Sequence, residues 1–145
     1  MSKVIKTLET AISELNEYTK SRDPMLLRDA AEKGWLAVSK VIETLLRAKG
    51  IDARTYRERG DALTRLSLDY LGDKYAAREK FLYIDCFYDG LCDEDFVRKE
   101  LDKVREIIDE VKELLPMNAS ISLSPANFLR SSVIIGGNDN DMPYG

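Results

Sequence analysis

Apolar residues recurring at alternating steps of four and three are the feature that most narrows what this chain can become. From Leu27 they run Leu27, Ala31, Gly34, Val38, Val41, Leu45, a spacing that keeps one stripe on one side of a 3.6-residue repeat. Trp35, Ile42 and Leu46 widen the stripe, while Arg28, Asp29, Glu32, Lys33, Lys40, Glu43 and Arg47 fill the opposite side. Asp23-Pro24 supplies an N-cap and a first-turn proline, and Gly50 a residue able to end the helix in the left-handed conformation, which predicts a helix over about 24–49. The same alternation returns as Val97, Leu101, Val104, Ile108, Val111, Leu115, opened by Asp93 and stopped by Pro116.

Three more segments pass the helical test. Val4, Ile5, Leu8, Ala11, Ile12 and Leu15 mark a helix that starts after Ser2 and breaks near Ser21. Thr55 and Glu58 have the capping-box spacing, so a third helix begins there and is expected to carry Ala62, Leu63, Leu66 and Tyr70 inward before Gly72-Asp73 closes it. A fourth is expected to put Ala77, Phe81, Ile84 and Tyr88 on one face and to end near Gly90. Five amphipathic helices on short turns must share a core, so the fold class is all-α, an up-and-down bundle of about five helices over residues 1–116. With 44% hydrophobic residues and only 8 Gly and 4 Pro, the composition supports such a core.

After Pro116 the pattern changes. Residues 117–145 carry only Arg130, Asp139 and Asp141 as charges, among Ser, Asn, Gly and Pro that fit no helical template. They read as an extended C-terminal arm. Docked on its own bundle or on a partner subunit, the arm would bury Phe128, Leu129 and the β-prone Val133-Ile134-Ile135 run. Docking on a partner copy is the favoured expectation.

Composition also bounds the chemistry. His is absent, which removes the side chain most used for proton transfer near neutrality and the commonest metal ligand. The net charge of −4 argues against bulk attraction to phosphate. No segment approaches the roughly 18 apolar residues of a membrane span, and charges interrupt every apolar run at the N-terminus, so a cytoplasmic location is expected. Cys86 and Cys92 are too few for a disulfide framework, and a reducing compartment would keep them as thiols packed among apolar neighbours. Gln is missing as well, while Arg, Lys and Glu are plentiful, a usage that fits a hot-growing source.

Two constellations invite a functional reading. Arg54, Arg57, Arg59 and Arg65, with Arg78 on the next helix, form the strongest nucleic-acid signal. Arg57 and Arg65 lie about two turns apart and could grip a phosphate backbone. Glu58, Asp61 and Asp69 interleave with them, as in solvated ion pairs on a helix surface. Asp85 and Asp89, with Tyr88 beside them, have the spacing of a dicarboxylate on one helix face. Their simpler role is to serve the helix ends, and no His is available to complete a metal site. Asn138-Asp139-Asn140-Asp141 lacks the Gly and distal Glu of a calcium loop, and no phosphate-loop pattern occurs. Trp35, Phe81, Tyr83, Phe87 and Tyr88 are expected to fill the core. The residues call for no metal and no cofactor.

The run Ala30-Ala31-Glu32-Lys33-Gly34-Trp35-Leu36-Ala37-Val38, and then Phe87-Tyr88-Asp89, resembles the archaeal PaREP family of small helical proteins, over about residues 1–115. That family is similar in turn to the HEPN superfamily, so the resemblance implies a HEPN-like bundle that dimerises. Catalytic HEPN domains pair an Arg with a His near the dimer interface. In the PaREP pattern a His often stands four residues before the Tyr of the Phe-Tyr pair, where this chain has Ile84. Without that imidazole the nearest proton-transfer groups are Tyr88, Asp85 and Asp89. The expected function is therefore a non-catalytic helical interaction module, a homodimer with a protein or RNA partner. The alternative is a HEPN-type RNA-binding protein or toxin-like ribonuclease lacking the usual His.

Overall fold

The computed structural model describes residues 1–116, and the expected arm at 117–145 lies outside them. The described chain is all-α. Helix α1 (Ser2–Ser21) turns through Arg22, in the left-handed conformation, into α2 (Pro24–Ala48), whose N-cap Asp23 accepts from the Met25 amide. After Gly50, α3 (Tyr56–Arg65) opens on the expected capping box: Thr55 Oγ1 accepts from the Glu58 amide, and Glu58 Oε1 accepts from the Thr55 amide. The Arg54 amide, which also donates to Glu58 Oε1, and then the Thr55 amide hold the Glu58 carboxyl below the usual glutamate range. Helix α4 (Asp69–Arg78) runs without a break into a π-helical segment (Glu79–Tyr88), and α5 (Glu94–Leu114), capped by Asp93, closes the bundle.

Helix α2 packs against every other element, which is why its stripe is the widest. All nine of its predicted inward positions, from Leu27 to Leu46, are buried. Its neighbours alternate in direction. Lys33 pairs with Glu14 across α1, Arg28 reaches Phe87 and Tyr88 on the π-helical segment, and Lys74 of α4 pairs with Glu110 of α5. These contacts fix α1, α2, α4 with its π-helical extension, and α5 as four antiparallel rods in up-and-down order, with the short α3 laid across α2 and α4. Gly34 lies tightly against two neighbouring rods: an added methyl there would sit 2.6 Å from Leu101 Cδ2 and 3.3 Å from Leu82 Cδ1. Among the described residues no helix is long and apolar enough to cross a membrane.

Four expectations need correction. The third helix does not continue to Gly72: it ends at Arg65, and the chain turns through Ser67 at φ 61° before α4 begins. The turn lets Leu63, Leu71 and Tyr75 share one core, and Tyr70, expected inside, is exposed. The fourth helix is rotated. Arg78, Leu82 and Cys86 face the core, while Ala77 and Phe81 are half-buried and Ile84 and Tyr88 are exposed. The repeat here has uniform steps of four, longer than 3.6, so a face counted at the α-helical period drifts off the buried side. Lys80 meets Asp85 at 2.9 Å, an i,i+5 pair that the wider helix brings together.

The cysteines are not thiols but a disulfide, Cys86–Cys92, because the chain after the π-helical segment folds back before α5. Leu91 donates its amide to the Asp85 carbonyl at 2.7 Å in that return. Finally, Arg78 is not a surface arginine. It is 5% exposed and faces Glu100, 2% exposed, Nε to Oε1 at 2.6 Å, touching as ions without hydrogen-bond alignment. Glu100 Oε2 also accepts from Lys103 at 3.3 Å.

Candidate functional site: an aromatic ladder and its exposed end

An unbroken series of aromatic rings runs from the core to one end of the bundle. Tyr56 of α3 lies 5.2 Å from Tyr75 of α4, and Tyr75 stacks on Trp35 of α2 at 5.0 Å and 14°. Trp35 stacks in turn on Tyr83 at 5.8 Å, and Tyr83 meets Phe87 at 5.8 Å and Tyr88 at 5.1 Å. Tyr83 touches both because the π-helical repeat places i+4 and i+5 on either side of i. At about 0.5–1.5 kcal/mol per well-placed pair beyond area burial, the ladder rigidifies this side of the molecule.

Polar groups pin both ends. At the inner end Arg59 Nη1 donates to the Tyr75 hydroxyl at 3.5 Å, and Arg59 Nη2 lies 3.9 Å from Glu43. Burial, followed by the charges of Glu79 and Tyr75, pushes the Tyr56 phenol above its ordinary range. At the outer end the Tyr88 hydroxyl, by hydrogen bonding and then by charge, holds the Tyr83 phenol up, with burial, Glu32 and Glu79 adding. Both phenols stay neutral well past pH 7. The outer end is anchored by Arg28, whose Nε donates to the Phe87 carbonyl at 2.8 Å and whose Nη2 donates to the Tyr88 carbonyl at 2.6 Å. One cation thus serves two carbonyls at the C-terminus of a helix, where the dipole favours it. Gly90, at φ 71°, passes 3.5 Å from Arg28 Nη1, measured from where a Cβ would stand.

What this end presents is apolar. Leu91 is 70% exposed, Tyr88 61% and Met25 56%, more than any other large hydrophobic side chain among the described residues. Met25 sits one turn before Arg28 on α2, and Arg28 holds Tyr88, so the three belong to one end of the bundle. Asp89 and Asp93 flank Tyr88 and Leu91 in the chain, Arg22, three residues before Met25, is paired with Glu94, and Lys80 is paired with Asp85.

The residues singled out from sequence fall in separate places. Asp85 is engaged by Lys80, Tyr88 lies against Tyr83 and Phe87, and Asp89 is an exposed residue at the helix end whose amide bonds the Ile84 carbonyl. No group of three acidic or cysteine side chains is placed to hold a metal among the described residues. Arg54 pairs with Asp52 at 3.2 Å, while Arg57 and Arg65 are exposed on α3 with no ion pair among the described residues. Helix α3 packs on α2 and α4, whereas Tyr88 lies at the far end of the π-helical segment, so these arginines and Tyr88 sit on separate elements that do not pack together. Sequence reading missed Arg28, which counts as one more charge on the polar side of α2, and Tyr56 and Tyr75 as ladder members. Only the partner's position reveals such roles. Compared with family models, with curated proteins and with solved structures, the chain matches none of them.

Proposed function

We propose that this chain is a non-catalytic helical interaction module that pairs with a second copy of itself through the end formed by Met25, Tyr88 and Leu91. The observation that carries the reading is the gathering of the three most exposed large apolar side chains at one end, with Tyr88 among them held by the aromatic ladder. Tyr and Met are enriched at interface cores, and preorganised anchors lose little entropy when they bind. A two-fold contact sets each patch against its own image, so the apolar side chains of one copy meet those of the other.

Light scattering after size-exclusion chromatography tests this on the full chain. The wild type is expected at twice the chain mass, and Tyr88→Ser/Leu91→Asp at the single mass with an unchanged helical circular-dichroism spectrum. A monomeric wild type, or a variant that still pairs, overturns the proposal.

A second reading, RNA binding of the HEPN type, is favoured by Arg57 and Arg65, exposed and without carboxylate partners among the described residues. Filter binding of cellular RNA to the wild type and to Arg57→Ala/Arg65→Ala, at two salt concentrations, distinguishes it. Phosphate contacts would give salt-sensitive binding that the double variant loses. Equal retention by both proteins removes the reading.

A further inference from the structure

We infer that the Cys86–Cys92 disulfide is a thiol–disulfide switch that shapes the docking end, so that the oxidised chain pairs and the reduced chain separates. The inference rests on the docking reading above and adds its regulation. The bridge closes a ring whose enclosed residues are 87–91, and these include Phe87, Tyr88 and Leu91, two of the three docking side chains and the last ring of the ladder. A bridge across so short a loop restricts the unfolded chain less than one across a long loop, so its main effect is local. Other ties on the return are few. Arg28 holds the Phe87 and Tyr88 carbonyls, and the amides of Gly90 and Leu91 bond Cys86 and Asp85. Helix α5 has its own cap at Asp93, so opening the bridge leaves the rods assembled and loosens 88–92.

Burial sets the order of the chemistry. Cys86 is buried against the core and Cys92 is half-buried, so an external thiolate reaches the Cys92 sulfur first. It forms a mixed disulfide there, and the electron pair of the broken S–S bond leaves on Cys86, which takes a proton. A second external thiolate releases Cys92 as a thiol and departs as the low-molecular-weight disulfide. In sum two external thiols are oxidised to one disulfide and two protein thiols form. Oxidised glutathione drives the reverse exchange.

The test uses the full chain after oxidised glutathione and after dithiothreitol. Intact mass should show a gain of two hydrogens on reduction, and hydrogen exchange of the amides of 88–92 should quicken by about tenfold or more while α1 and α2 stay unchanged. Light scattering should fall from two chains to one. Cys86→Ala/Cys92→Ala should copy the reduced state in both readouts. Equal exchange in the two redox states, or two free thiols persisting under oxidised glutathione, overturns the inference. Dimers in both states, with exchange altered, also overturn it while leaving the docking reading intact. Monomers in both states, with exchange altered, defeat the docking reading and show a local redox change without the proposed output.

Discussion

Replacing Arg78 with Met removes the guanidinium that lies 2.6 Å from Glu100 Oε1, and the carboxylate it leaves is 2% exposed. Water cannot resolvate that charge. Breaking a buried pair from one side costs about 3–5 kcal/mol, because the remaining ion keeps its desolvation penalty and loses its partner. Lys103 stays at 3.3 Å from the other carboxylate oxygen, but it is half-exposed and returns about 1 kcal/mol at most. The expected net loss is about 2–4 kcal/mol, and with a urea slope near 2 kcal/mol per molar the midpoint should fall by about 1–2 M. Arg78→Met/Glu100→Leu removes both charges in favour of apolar groups of similar volume and should return to within about 1 kcal/mol of the wild type. Urea unfolding of the four proteins of this cycle, followed by circular dichroism at 222 nm, a wavelength of roughly maximal helical signal, measures the coupling. A single substitution that costs less than about 1 kcal/mol, or a double variant no better than the single, would refute the claim that the buried ions depend on each other.

Two further outcomes follow from the docking end and the α1–α5 junction. Arg28→Ala leaves the Phe87 and Tyr88 carbonyls without their charged donor. It should cost about 1.5–3 kcal/mol in urea unfolding and quicken amide exchange near residue 88, whereas Arg57→Ala on the open surface should change stability by under about 0.5 kcal/mol. Glu94 accepts from Thr19, Arg98 and Arg22, and these bonds, Thr19 foremost, hold its carboxyl below the usual glutamate range. A depressed carboxyl contributes stability above its unfolded pKa and loses it as pH falls through the folded value. Stability should therefore decline in acid below the ordinary glutamate range, and Glu94→Gln should decline less steeply. Parallel acid profiles for the two proteins would show that this junction has no such role.

The sequence by itself determined the rods and most of their ends. The stripes of α1, α2 and α5, the Asp23, Thr55 and Asp93 caps and the break after Ser21 are all local: each depends on residues within about a turn of one another, and the structure places them as expected. Tertiary packing decided everything that depends on distance across the bundle. The π-helical register from Glu79 to Tyr88 arises where Arg78, Leu82 and Cys86 must all face the core, and no helical period assumed in advance would find it. That register turned Ile84 and Tyr88 outward, joined Lys80 to Asp85, and put Tyr83 against two rings at once. Arg78 reads as a phosphate contact in sequence because its partner, Glu100, lies on another helix, and Arg28 reads as a solvated charge because the carbonyls it serves lie some 60 residues away. A repeat of apolar residues specifies a helix because backbone hydrogen bonds and side-chain period are short-range, whereas charge pairing, ring stacking and the Cys86–Cys92 bridge depend on which surfaces meet.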